Sequence, residues 1–167
     1  MTVAAIKKRL DSKLILVVED DQDTNELICA LMGGAGFKTI SAPDGKEGLG
    51  LAAEHHPDLI LMDIMLPEVD GIKVCERLGK DKNTASIPVI MVSAKRDVHT
   101  KLASFVAGAK RYITKPFGLE ELVDEVRKTF KQKRITEDVG AFHEKCDGGG
   151  DFGVFPSDFE NQTEVCR

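Results

Sequence analysis

A chain of 167 residues can bury a sizeable core in one domain with a short appendage, which leaves little room for two large domains. Apolar residues at 42% and charged residues at 31% exclude wholesale disorder, and no stretch reaches the roughly 18 apolar residues of a membrane span, so a cytoplasmic protein is expected. The net charge of −5 counts against nucleic acid as the main partner.

Leu14 to Val18 is a continuous apolar run ended by Glu19, Asp20 and Asp21, which reads as a buried strand. Leu27, Ile28, Leu31 and Ala35 then repeat on one helical face, with Gly33, Gly34 and Gly36 as the stop. Phe37 to Ser41 is a second, weaker strand. Pro43, Asp44 and Gly45 introduce a helix carrying Leu49, Ala52 and Ala53, which ends before Pro57. Asp58 to Met62 is the third strand. Pro67 to Gly71 is a loop, followed by a helical stripe of Ile72, Cys75 and Leu78. Ile87 to Val92 is the fourth strand, with Pro88 near its start. Val98, Leu102, Phe105 and Val106 form a helical apolar face closed by Gly108, and Lys110 to Thr114 is a short fifth strand. Leu119, Leu122, Val123, Val126 and Phe130 make the last amphipathic stripe.

Strands alternating with helices, the middle strands apolar almost throughout, predict an α/β fold: an open, doubly wound, five-stranded parallel sheet with helices on both faces. Periodicity stops near residue 134. From Ile135 onward 8 acids face 2 bases, a charge of −6, against about +1 for residues 1–134. The chain thus divides into an N-terminal extension, 1–12, a domain, 13–134, and an acidic, glycine-containing tail, 135–167, flexible or docked. Cys29, Cys75, Cys146 and Cys166 show no CxxC spacing, and the first two read as reduced thiols in apolar segments.

In such a sheet ligands bind outside the carboxyl ends of the strands, and the unusual residues gather there. Glu19, Asp20 and Asp21 follow strand one, Asp63 closes strand three, Ser93 follows strand four, and Lys115 with Pro116 follows strand five. In the order 2-1-3-4-5 strands one and three are neighbours, so their acids converge on one crevice. Convergent carboxylates repel unless a cation intervenes, and an all-oxygen set suits Mg²⁺. With a lysine and a hydroxyl opposite, the constellation fits a phosphoryl group carried on a carboxylate.

The stretches ILVVEDD, LILMDIMLPEVDG, VIMVSAKRD and YITKPFGLEEL, in this order and spacing, resemble the receiver domain of two-component response regulators, a flavodoxin-like fold, from about Leu14 to Phe130. The resemblance implies that Asp63 is the phosphoryl acceptor and Lys115 the ligand of the phosphoryl group. It implies that Asp20, Asp63 and the Met65 backbone carbonyl bind Mg²⁺ directly, with Glu19 acting through water. Ser93 matches the switch hydroxyl and Tyr112 the aromatic that changes rotamer with it; Pro67 and Gly71 match the loop after the acceptor, and Pro116 a residue preceded by a cis bond.

The implied partners are a histidine kinase or phosphotransfer protein and a downstream protein, engaged through the face of helix four, strand five and helix five; a phosphorylation-dependent dimer is also open to the family. The chain would be a phosphoacceptor assisting its own phosphorylation and dephosphorylation, not an enzyme acting on other substrates. Two alternatives stay open: a constitutive interaction module with the same fold, and the receiver part of a longer transcription factor or signalling enzyme. Lys110 and Arg111 depart from the acids common in the family at these positions, so the partner of that face is acidic or is the chain's own tail. No second helical domain able to read a groove is visible, so direct nucleic acid binding is not expected.

Overall fold

The computed structural model describes residues 13–143, with side chains from 13 to 132. The predicted extension 1–12 lies outside the described residues, as does segment 144–167 with Cys146 and Cys166. The compact unit holding the sheet closes at Gln132, and a second unit begins at Lys133.

The strands are β1 (Leu14–Val18), β2 (Lys38–Ala42), β3 (Leu59–Met62), β4 (Val89–Ser93) and β5 (Arg111–Thr114). The helices are α1 (Gln22–Gly34), α2 (Gly45–His55), α3 (Gly71–Lys80), α4 (Val98–Val106) and α5 (Leu119–His143). All strand pairs are parallel, in the order β2-β1-β3-β4-β5.

Successive strand residues face opposite sides of the sheet. Here both sides are apolar and covered. Ile15, Val17, Leu59, Leu61, Ile90 and Val92 pack on Ile28 and Met32 of α1 and on Leu122, Val126 and Phe130 of α5. Their neighbours Leu16, Val18, Ile60, Met62, Val89 and Met91 pack on Ala52 of α2 and on Val74, Cys75 and Leu78 of α3. All four residues of β3 are buried, which explains its unbroken apolar sequence.

Helices α1 to α4 each begin on an aspartate whose side chain accepts a backbone N–H of the first turn: Asp21 from Thr24, Asp44 from Glu47, Asp70 from Ile72 and Asp97 from Thr100. Of the acids after β1, Asp21 therefore caps a helix.

Several local expectations are corrected. Gly33 and Gly34 lie inside α1; the reversal falls at Gly36, whose φ of 94° favours glycine. Phe37 is a core residue just before β2. Asp58 precedes β3, where its carboxylate binds the Lys13 ammonium and the Leu14 amide. Ser93 is the last residue of β4, and Lys110 precedes β5. α5 stays helical to His143, beyond the end of the apolar periodicity, because periodicity reports burial of a face and not helicity itself.

The apolar face expected of α4 points away from the core. Val98, Leu102, Phe105 and Val106 are 67%, 57%, 48% and 88% exposed, while Ser104 is fully buried and donates to the Thr100 carbonyl. Leu27 and Leu119, each placed on an apolar helical stripe, are also exposed. A 3.6-residue repeat locates a stripe but not the direction it faces.

Candidate functional site

Three site residues sit one position beyond their strands, each tied to the neighbouring strand by a backbone bond. Glu19 donates its amide to the Ala42 carbonyl, Asp63 to Val18 and Lys115 to Ser93. The sheet's own hydrogen bonds thus carry one residue from each of three loops into the crevice at its carboxyl edge. Asn25, not singled out in the sequence, adds a side-chain amide bond to the Glu19 carbonyl at 3.2 Å. Only its placement one turn into α1 gives it that role.

The Lys115 ammonium bridges Glu19 Oε2 and Asp63 Oδ2, both at 2.6 Å. Both acids are buried, whereas Asp20 is exposed at the crevice mouth. Carboxylate oxygens of Glu19, Asp20 and Asp63 lie within 4.8 Å of one another. Burial pushes the Glu19 carboxyl up to about 7; hydrogen bonding to Lys115 opposes this, and the charges of Asp63 and Asp20 add to it. Lys115 is held above the usual lysine range: burial alone would lower it, but its hydrogen bonds to Asp63 and Glu19 and their charges prevail. Three carboxyl groups against one ammonium leave a local surplus of negative charge that a divalent cation at the mouth would balance.

The loop after Asp63 is built around that residue. The Met65 amide donates to Asp63 Oδ1 at 3.0 Å, fixing one carboxylate oxygen while Lys115 holds the other. Gly71 opens α3 against the loop's backbone: its amide donates to the Ile64 carbonyl, and a Cβ there would stand 2.0 Å from the Asp63 carbonyl oxygen. Pro67 lies on the outer side of this loop, and Glu68 takes a φ of 65°. The Lys115–Pro116 peptide bond is cis.

On the β4–β5 side Ser93 is fully buried, and its hydroxyl accepts weakly from the Lys95 amide at 3.4 Å. The Tyr112 hydroxyl donates to the Lys95 carbonyl at 2.7 Å, and the Lys101 ammonium lies 5.6 Å from its ring centroid, within cation–π range. Burial raises the Tyr112 hydroxyl's pKa. The Lys95 carbonyl is a contact no side-chain pattern could reveal.

The family model described as the response regulator receiver domain matches residues 15–127. The chain belongs to the response regulator receiver family. This receiver is 39% identical over 147 residues to the DNA-binding dual master transcriptional regulator RpaA of Synechocystis, covering 87% of this chain and 60% of that protein. It is 36% identical over 120 residues to the phosphate regulon transcriptional regulatory protein PhoB of Pseudomonas aeruginosa, covering 72% of this chain and 52% of that one. The chain therefore spans between about half and 60% of these relatives. Among solved structures it resembles the receiver domain of the Francisella response regulator 1452, with a TM-score of 0.67, 33% identity and coverage of 72% of this chain and 98% of that one. The BeF3-activated N-terminal receiver domain of Klebsiella pneumoniae RstA gives 0.64 and 30%, with coverage of 69% and 96%. Among the described residues of this receiver, no helix is long and apolar enough to cross a membrane.

Proposed function

We propose that this receiver accepts a phosphoryl group on Asp63 from a histidine kinase or phosphotransfer protein and converts its charge into altered partner binding. The observation that carries the reading is the Asp63 carboxylate itself: buried, with one oxygen held by the Met65 amide and the other by Lys115, beside Glu19 and Asp20. An Asp63 oxygen attacks phosphorus, the P–N bond of the donor phosphohistidine breaks, and the imidazole leaves with the bonding pair; later a water attacks phosphorus, the P–O bond to Asp63 breaks with its pair returning to the carboxylate, and inorganic phosphate departs with the water's proton released. Lys115 is already within reach of the acceptor and would follow the charge onto the phosphoryl oxygens.

Mg²⁺ fits the same residues. Asp20, Asp63 and the Met65 carbonyl would hold it, with Glu19 acting through water. Bound there, it would offset the surplus carboxylate charge and polarise the phosphoryl oxygens.

Ser93 and Tyr112 form the conversion step. A phosphoryl oxygen gives the Ser93 hydroxyl a stronger acceptor, and Tyr112, which touches the same loop at the Lys95 carbonyl, repacks with it. The output is a change in the face of α4, β5 and α5. Such a switch assists its own phosphorylation and hydrolysis and acts on no other substrate.

Incubating the full chain with Mg²⁺ and acetyl phosphate should add 80 Da to the wild type and nothing to Asp63→Asn. No adduct on a folded wild type would leave a constitutive interaction module, and an adduct surviving in Asp63→Asn would move the chemistry elsewhere.

A further inference from the structure

Asn25 binds the chain on both sides of Asp20. Its backbone amide donates to the Asp21 carbonyl at 2.9 Å, and its side-chain Nδ2 donates to the Glu19 carbonyl at 3.2 Å. The Glu19 amide is bound in turn to the Ala42 carbonyl of β2 at 3.1 Å. A peptide unit is planar, so fixing the Glu19 carbonyl also fixes the Asp20 amide. Asp20 itself is exposed, and among the described residues no hydrogen bond or ion pair holds its carboxylate. Glu19 and Asp63, by contrast, are both gripped by Lys115. The direction of the Asp20 side chain therefore depends on its backbone, and Asn25 holds that backbone.

The Asn25 amide is held as well. The Cys29 thiol, one turn further along α1, donates to Asn25 Oδ1 at 3.5 Å. Burial raises the thiol's pKa against an opposing hydrogen bond with Thr39, which keeps the sulfur protonated and able to donate at neutral pH. With Oδ1 occupied by a donor, Nδ2 is the end that meets the Glu19 oxygen. Asparagine is a weak residue inside a helix because its side chain competes for nearby backbone groups; in α1 that competition reaches back to the end of β1.

We infer that Asn25 is a positioning residue for the metal site: by clamping the Glu19–Asp20 peptide it aims the exposed Asp20 carboxylate into the crevice beside Asp63. The inference rests on the proposed Mg²⁺ site and adds to it a residue that touches neither the cation nor the phosphoryl group. In Asn25→Ala the Glu19–Asp20 peptide loses the tether on its carbonyl and gains rotational freedom, which cation binding must then remove. Stability and metal affinity respond differently to that substitution. Alanine is the better helix former, which offsets the lost bond in folding, whereas nothing offsets the freed peptide in metal binding.

The test titrates the full chain and its Asn25→Ala variant with magnesium chloride by isothermal calorimetry, and follows the thermal unfolding of both without metal. Asn25→Ala should bind Mg²⁺ about tenfold more weakly, at the lower end of what the outer partners of metal ligands contribute. Its metal-free unfolding midpoint should stay within about 4 °C of wild type. At limiting Mg²⁺ the variant should accept phosphoryl groups from acetyl phosphate severalfold more slowly. Saturating Mg²⁺ should restore the wild-type rate, because Asn25 bonds to neither Asp63 nor Lys115. A wild type that binds no Mg²⁺ would overturn the metal site and the inference together. Where wild type does bind, equal affinity in Asn25→Ala would overturn the inference alone. So would a rate that stays low at saturating Mg²⁺, since the effect would then lie on the acceptor. A metal-free midpoint lowered beyond that limit would also overturn it, because the bond would then serve the fold and not the aim of Asp20.

Discussion

Replacing Gly71 by alanine tests how tightly the acceptor's backbone is built in. A Cβ at this position would stand 2.0 Å from the Asp63 carbonyl oxygen, 2.9 Å from Ile64 Cα and 3.0 Å from the Asp63 carbonyl carbon. The first distance is roughly 1.5 Å short of ordinary contact at about 3.5 Å. All three atoms belong to backbone, so no rotamer change relieves the clash; either α3 lifts at its first turn or the Asp63 segment moves. Overpacking of this kind costs about 3 kcal/mol at the upper end of its usual range, and the gain in helix propensity from glycine to alanine returns at most about 1 kcal/mol. A net loss of about 2 kcal/mol follows, which urea denaturation would register as a midpoint lower by roughly 1–2 M. Gly50→Ala is the control: α2 has open space at Gly50, so the substitution should raise stability by about 0.5–1 kcal/mol. The displaced Asp63 carboxylate should also accept phosphoryl groups more slowly from acetyl phosphate. A Gly71→Ala protein within 0.5 kcal/mol of wild type would refute the reasoning, because the packing of α3 against Asp63 would then be loose.

Removing the lysine between the two buried acids should destabilise the metal-free protein. Lys115→Met leaves Glu19 and Asp63 without their ammonium, a loss on the order of 3 kcal/mol at neutral pH that added Mg²⁺ should partly restore; thermal unfolding with and without Mg²⁺ measures both. The Glu19 carboxyl, raised by burial to about 7 from an ordinary 4.5, keeps its proton in the folded state across that window while the unfolded chain releases it. Its contribution to stability therefore falls as pH rises from about 4.5 to 7. Metal binding that displaces this proton should strengthen up to tenfold per pH unit below 7 and level off above; an Mg²⁺ affinity independent of pH between 5.5 and 7 would rule it out. Arg111 donates to Glu125 at 2.8 Å and to Thr129 and Gln132 at 3.0 Å, tying β5 to α5. Arg111→Met should cost about 1–2 kcal/mol in urea, and a double-mutant cycle with Glu125→Gln should return a coupling of at least 0.5 kcal/mol.

The sequence by itself determined the sheet and the family of chemistry. β3 reads LILM because each of its side chains lies between two covered faces, and the alternation of such runs with helical stripes leaves few topologies. The acids after β1, Asp63 after β3 and Lys115 after β5 were legible because polar residues that end apolar strands must share the same sheet edge. Boundaries were less legible. Gly33 and Gly34 are weak helix residues, yet tertiary packing of Ile28 and Met32 carries α1 through them to a reversal at Gly36.

Only the tertiary structure decided distances and directions. It set Lys115 between Glu19 and Asp63, aimed the Met65 amide at Asp63, brought the Gly71 backbone against that of Asp63, and gave Tyr112 the Lys95 carbonyl as its partner. It also turned the apolar stripe of α4 to solvent. The physical reason is that periodicity along a chain encodes which residues share a side, whereas what that side meets depends on segments far away in sequence. For α4 the inward place is filled by Ser104, with Ala107 buried at its C-cap, and the apolar residues are left at the surface.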